Sequence, residues 1–593
     1  MSTTSRRLLG SSSEGPEGTK VVQVRCQRTT LDRPLDYLVP EGFVALAIGD
    51  LVSVELRGRK VEGWIVSANP LEDATRKLQP LLRWLGRAVT PEAIALCEWA
   101  AWRWHSRVNR FLKTASPSRR VRELPLPPQS ACKADPTQAW VSAGREAVTS
   151  GGGLFVLAPT KDPFEILLGV IAELEAHEGT VLVIVPELGW AQRLTKRLGS
   201  QGVAAVSSTQ DTQARAGWPA VVGTRAAIFL PVPKLTGVVI FDAHDESLGE
   251  EGTPSWNAVE VARHRCAQLG IPLVATAPFR ASSLRGFSLL ESPREDEDLS
   301  WADIEVFDQR SLDPREGMFS SPLAAAAGQA LEMSDAQETA VVAVLNTKGR
   351  VVLLACSACR SVASCVSCGG ATALVDGVLV CRRCHAVRPV ACASCGSTLL
   401  KGIRLGVQGA GEQFGALLRK PVEVVEGRGL SDWAPSQVLL GTEAVLHRVR
   451  RSRLVAFLDF DQHLHAVRIS ASEDALGLLV RALRMVALRP GGKVLVQTRD
   501  PEHPILLALR TGLVAQLLDD EDALRLSLKL PPYVAQAVLR GENARSLAKE
   551  LGAVEISAAN FLIEAENHGL LCNQLAELEI PDGVKVAVDP RSA

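Results

Sequence analysis

No apolar run of 18 residues occurs in the chain, which excludes a membrane-spanning helix of the usual kind. Met1 to Lys20 is rich in Ser, Gly and Arg and lacks an apolar core segment. A secretory leader is therefore not expected, and a cytosolic, reducing compartment is. Net charge is nearly absent, with 65 Lys and Arg against 66 Asp and Glu in 593 residues. Tyrosine is used only twice, at Tyr37 and Tyr533, and no self-similarity appears at solenoid periods. With 46% hydrophobic and 22% charged residues, the composition excludes wholesale disorder and collagen-like repeats. At roughly 100–200 residues per domain, the length implies about three to five domains.

What is present is unevenly placed. Thirteen cysteines in a reducing compartment argue for metal rather than disulfides, and eight of them lie between Cys356 and Cys395. Residues 1–140 carry 21 Lys and Arg against 14 Asp and Glu, so the remainder is net acidic. A basic amino-terminal part on a neutral protein predicts one surface that faces a polyanion.

Residues 1–18 read as a flexible tail. Short β-type runs follow at Val21–Arg25, Leu51–Leu56 and Val61–Val66, separated by turn residues. From Pro91 to Leu112 the pattern is helical, and Trp99, Trp102 and Trp104 are expected in its core. A Pro-, Ser- and Arg-rich linker comes next, over 116–145. Two alternations of apolar strands and helical stretches, at 146–325 and 326–515, predict two parallel α/β lobes, and 516–593 a small mixed domain. The cysteine-rich segment, 356–395, is inserted in the second lobe.

The eight cysteines form four C-x-x-C pairs. Such a turn places two thiolates on one edge of a Zn²⁺ tetrahedron, and two pairs close a four-sulfur structural site. An Asp376-Gly377 hairpin between the second and third pairs brings those together. One zinc is thus expected at Cys365, Cys368, Cys381 and Cys384, and another at Cys356, Cys359, Cys392 and Cys395; sequential pairing is the alternative. Cys381 to His385 also fits a haem-attachment pattern, which would leave the other pairs unused.

On these residues the chain resembles the bacterial primosomal protein N′ (PriA) family of replication restart. The nested cysteine array is its most specific part. Other matches are Leu31 to Pro40, Val185-Pro186-Glu187-Leu188, Gly223-Thr224-Arg225-Ala226, Leu345 to Gly349, Gly441-Thr442-Glu443 and Pro501-Glu502-His503-Pro504, in the family's order. The resemblance implies a small β-rich DNA-binding domain at 19–115, two helicase-like lobes with a two-zinc insert, and a small α+β carboxy-terminal domain. It also implies that Asp36 and Tyr37 hold the 3′ end of a DNA strand, the carboxylate accepting from the terminal hydroxyl and the ring stacking on the last base. Gly49 would lie on the facing segment, with Arg59 or Lys60 on phosphate.

The sequence departs from the family where ATP is used. A phosphate loop needs glycine amides, a Lys and a following hydroxyl. Here the first-lobe strand runs into Ala158-Pro159-Thr160-Lys161-Asp162-Pro163, without glycine. The acidic motif is reduced to Asp242-Ala243-His244-Asp245, and the glycines of the arginine-finger motif are missing around Arg481, Arg484 and Arg489. ATP binding is therefore doubtful and no catalytic residue is assigned. The expected function is a replication restart protein without helicase activity, cytoplasmic and nucleoid-associated. It would bind forked DNA and recruit primosome proteins, the replicative helicase or its loader, and single-strand DNA-binding protein, with no membrane involved. The alternatives are a divergent ATP-driven 3′-to-5′ helicase and a zinc-ribbon adaptor.

Overall fold

The computed structural model describes residues 20–590 apart from short internal stretches, the longest being 28–32, 71–77, 294–303, 312–317, 346–353 and 426–435. The expected tail and Cys368 lie outside the described residues.

The first domain is a six-stranded sheet of β1 (Lys20–Cys26), β2 (Leu35–Leu38), β3 (Asp50–Leu56), β4 (Arg59–Pro70), β5 (Gln79–Pro80) and β6 (Arg83–Arg87), in the order β5-β2-β1-β4-β3-β6. Burial alternates along β3, as a strand with one covered face requires. Leu81 donates to the Leu38 carbonyl and Leu82 to that of Ser53, both at 2.9 Å. These bonds draw β3 toward β2 and curl the sheet around Val22, Val24, Val52, Val54 and Ile65.

The single helix expected from Pro91 to Leu112 is two helices, α1 (Pro91–Arg103) and α2 (Val108–Ala115). The Thr90 hydroxyl caps α1 by accepting from the Ala93 amide. His105, in the left-handed region at φ 41°, turns the chain between the helices. Of the three tryptophans only Trp104 is buried. Trp99 stacks on His264 at 3.7 Å between ring centroids, and the Trp102 indole donates to Asn573 at 3.0 Å. These two therefore join domains rather than fill a helix core.

After α3 (Ala139–Thr149), which starts inside the expected linker, the first lobe is a wholly parallel sheet. Its strands are β7 (Gly152–Val156), β8 (Thr180–Ile184), β9 (Ala205–Ser207), β10 (Ala220–Gly223), β11 (Leu235–Ile240) and β12 (Leu273–Ala277), ordered β7-β12-β11-β8-β10-β9. The central strands are buried at nearly every position, as a parallel sheet covered on both faces demands.

The second lobe begins with β13 (Ile304–Asp308) and β14 (Val341–Val344). The chain leaves for the cysteine-rich insert, β15 (Leu354–Cys356), β16 (Thr372–Val375), β17 (Val378–Cys381), β18 (Val387–Pro389) and β19 (Leu400–Gly402). It returns as β20 (Glu423–Val425), β21 (Val438–Gly441), β22 (Leu454–Phe457) and β23 (Lys493–Thr498), with α4 (Ala471–Val486) between the last two. The order β13-β23-β22-β14-β21-β20 is the first lobe's order repeated, strand for strand. This repetition corrects the boundary drawn at 325/326. The opening strand of the second sheet is Ile304–Asp308, paired in parallel with β23. An antiparallel sheet of β24 (Ala535–Arg540), β25 (Val554–Ser557), β26 (Asn560–Ala565) and β27 (Lys585–Val588), ordered β25-β26-β24-β27, ends the chain.

Candidate functional site

Three places bear on function: the cysteine insert, the cleft between the lobes and the first domain. In the insert the first C-x-x-C pair meets the fourth. The sulfurs of Cys356, Cys359, Cys392 and Cys395 lie within 4.8 Å of one another, and those of Cys365, Cys381 and Cys384 form a second group on the same criterion. Asp376 and Gly377, both at positive φ, make the expected hairpin turn between β16 and β17, and so join the inner pairs.

Sulfur separations of 3.6 Å for Cys356–Cys395, 3.5 Å for Cys359–Cys392 and 3.6 Å for Cys365–Cys384 are far too long for disulfides. They match the edge of about 3.8 Å that a tetrahedron with metal–sulfur arms of about 2.3 Å requires. All four turns are built alike: the residue after the second cysteine donates its amide back to the carbonyl of the first, through Arg360, Gly369, His385 and Gly396. Each of those four is in the left-handed region. His385 therefore closes a turn, which accounts for the haem-like pattern. The amides of Ala358, Ser367 and Cys384 point at sulfur, each at 3.4 Å.

The cleft is bridged by side chains of both lobes. A phosphate loop would follow the opening strand of the first lobe; there the Lys161 ammonium sits 4.5 Å over the Trp140 ring and the Pro159 carbonyl accepts from Arg484 Nε at 2.6 Å. The Arg484 guanidinium also grips both oxygens of Asp242, Nη2 to Oδ1 at 2.9 Å. One turn earlier on α4, Arg481 pairs with Asp245 and, at 3.3 Å, with Glu187, which in turn holds His447 at 2.8 Å. Burial raises the Asp245 carboxyl, but Arg481, His244 and the Ser247 donors outweigh it and hold the group well below the ordinary carboxylate range. His244 is enclosed with its ring edge-on to Phe279, and burial pushes its pKa down. Sequence reasoning noted these arginines only as a degenerate motif. The signal for their pairing was the shared spacing: Asp242 and Asp245, like Arg481 and Arg484, are three residues apart.

The first domain brings only some of its candidates to the surface. Tyr37 is 3% exposed inside the barrel, and its hydroxyl donates to the Glu55 carbonyl at 3.2 Å. Its ring has no face free for a base, which corrects the stacking role given to it; alternation along β2 turns position 37 inward and 36 outward. Asp36 is half-buried and accepts from Gln23 at 3.2 Å. Gly49, at φ 94°, would drive a Cβ to 2.1 Å from the Val89 carbonyl oxygen, so glycine there serves close packing. Arg59 and Lys60 are exposed at the start of β4.

The family profile described as the 3′ DNA-binding domain of PriA matches residues 21–117. The chain is similar to proteins named as PriA replication restart proteins. It is 28% identical to the probable replication restart protein PriA of Mycobacterium bovis, over 86% of this chain and 85% of that protein. To the PriA of Haemophilus influenzae it is also 28% identical, over 64% of this chain and 57% of that one. A solved structure of yeast Dbp5 bound to RNA and ADP BeF3 aligns at a TM-score of 0.37 and 10% identity, covering 67% of this chain and 93% of that one. The two lobes are accordingly assigned from their own repeated strand order. No helix among the described residues is long and apolar enough to cross a membrane.

Proposed function

We propose that this chain is a replication restart protein of the PriA kind that works without a motor. It binds forked DNA through its first domain and promotes primosome assembly and reloading of the replicative helicase. The observation that carries this reading is the 3′ DNA-binding match at 21–117 in a chain aligned over 86% of its length with PriA. The insert holds two zinc ions in closed four-sulfur sites, which fold it and leave no open position for chemistry. With the carboxy-terminal domain, it is the surface offered to primosome proteins, the helicase or its loader, and single-strand DNA-binding protein. A cytoplasmic, nucleoid-associated site of action follows.

The lobes act as a fixed scaffold. The loop after β7 has no glycine amides for phosphate, and Arg484 occupies its carbonyl and Asp242 together. The test is ATP hydrolysis by the full chain with and without forked DNA, run beside Lys161→Ala, together with binding to the same fork. Tight fork binding without DNA-stimulated turnover is the expected result. Turnover that Lys161→Ala abolishes would return the protein to the motors, and failure to bind the fork would remove the restart reading.

A further inference from the structure

We propose that the groove between the first-domain barrel and the segment after α2 is a track for the phosphates of a nucleic acid single strand, separate from Asp36 and Gly49. The inference rests on the DNA-binding reading above and adds a second contact to it. The groove is a cavity of about 410 Å³ between β4, β6, the end of α2 and the segment 116–121. Four cations line it, Arg87, Lys113, Arg119 and Arg120, against one acid, Glu62. Arg87, Lys113 and Arg119 are exposed and have no carboxylate partner among the described residues, whereas Arg120 pairs with Glu62 at 3.2 Å. Three positive charges are thus left facing one cleft in a chain with almost no net charge. Such an imbalance is maintained against mutual repulsion and suits a polyanion.

The walls are built, not draped. The Arg87 amide donates to the Val121 carbonyl at 2.7 Å, and Gly86, at φ 143°, allows that approach, since a Cβ would stand 2.6 Å from the same oxygen. The Trp64 indole donates to the Ser116 hydroxyl at 2.8 Å, and the Ser118 hydroxyl to Asp211 at 2.6 Å. The segment read as linker is therefore fixed on both sides, to the barrel and to the first lobe. Trp64 is buried with its N–H used, so the floor offers contact and no stacking face. Recognition would be by phosphate, in a cleft too confined for a duplex and indifferent to sequence. Lys60 shares the face of β4 that carries Glu62 and Trp64, which continues the track toward the hairpin tip; Arg59 has the other face.

The experiment uses the full chain and a fork with a single-stranded arm, and reads affinity over a series of salt concentrations. In the triple variant Arg87→Ala, Lys113→Ala and Arg119→Ala, the slope of log K against log salt should become shallower by about 2, at about 0.7 per single-strand phosphate contact. The same change is expected on a fork whose 3′ end is blocked, because the groove does not hold the terminus. A charge-preserving triple variant (Arg87→Lys, Lys113→Arg, Arg119→Lys) should restore the slope. An unchanged slope in the alanine variant, or no rescue by the charge-preserving one, overturns the groove while wild-type binding keeps the wider reading. Absence of fork binding by the wild type overturns both.

Discussion

Arg484 of the second lobe and Asp242 of the first form a two-point ion pair across the cleft, and the same guanidinium holds the Pro159 carbonyl. The charges of these two side chains are thus paired with each other, and the contact joins the two lobes through one guanidinium.

Removing one partner of a buried pair strands the other charge, at about 3–5 kcal/mol. Arg484→Ala should destabilise the chain near the lower end of that range, because the arginine side chain is still 30% exposed. A urea unfolding midpoint checks this, and no gain of ATP hydrolysis is expected. An unchanged midpoint would mean that the lobes are held by other contacts.

A second buried charge gives a pH dependence. Asp459 is enclosed at the end of β22, with Oδ1 lacking a hydrogen-bond partner among the described residues. Its neighbour Asp461 takes Arg499 at 3.2 Å, closer than the 3.6 Å to Asp459. Burial first, and then the Asp461 charge, push Asp459 up to about 7. The folded chain therefore holds this proton more tightly than the unfolded one, whose Asp titrates near 3.9. Stability from this group is complete below about pH 4 and declines as pH rises toward 7. Asp459→Asn mimics the protonated form, so its stability relative to wild type should rise between pH 4.5 and 7 and level off above. A difference that stays constant across that range, measured by denaturant midpoints, would remove the assignment.

Local signals were legible where chemistry fixes geometry. The Asp376-Gly377 turn favoured the nested grouping over the sequential one, which spacing alone left open, and the sulfurs of the first and fourth pairs do meet. The apolar strands of both lobes were plain because parallel sheets bury whole runs. The opening strand of the second lobe was hidden: Ile304–Asp308 lies at a sheet edge, only half-buried, and five residues with three apolar ones are too short a pattern to stand out. Tyr37 was assigned by motif, and only the sheet's closure shows that the ring points inward. The Arg484 pair joins residues 242 positions apart, so the matching three-residue spacings hint at a pairing that only the folded lobes fix.

The nested cysteine arrangement predicts a metal count that sequential pairing does not. Cys356→Ser with Cys395→Ser removes two ligands from one site and none from the other. The double variant should therefore retain one zinc per chain of the two proposed for wild type, measured by atomic absorption after dialysis. Sequential pairing would place one substitution in each site and lose both metals. Chelation should unfold only the insert, since none of the described residues of 356–395 belongs to the hydrophobic cores of the lobes.

The last prediction separates the two neighbours on β2. Tyr37→Phe keeps the ring that fills the barrel and loses the hydroxyl's bonds to the Glu55 carbonyl and the Cys26 thiol, so it should cost about 1 kcal/mol and leave fork affinity unchanged. Asp36 faces outward, and Asp36→Asn keeps its shape while removing its charge. On the proposed role it should weaken binding to a strand with a free 3′ hydroxyl and have no effect on one with a blocked end. Fluorescence anisotropy with both oligonucleotides checks the pair of variants. If Tyr37→Phe lost affinity and Asp36→Asn did not, the hydroxyl and not the carboxylate would be the group that meets DNA, and the barrel would have to open to expose it.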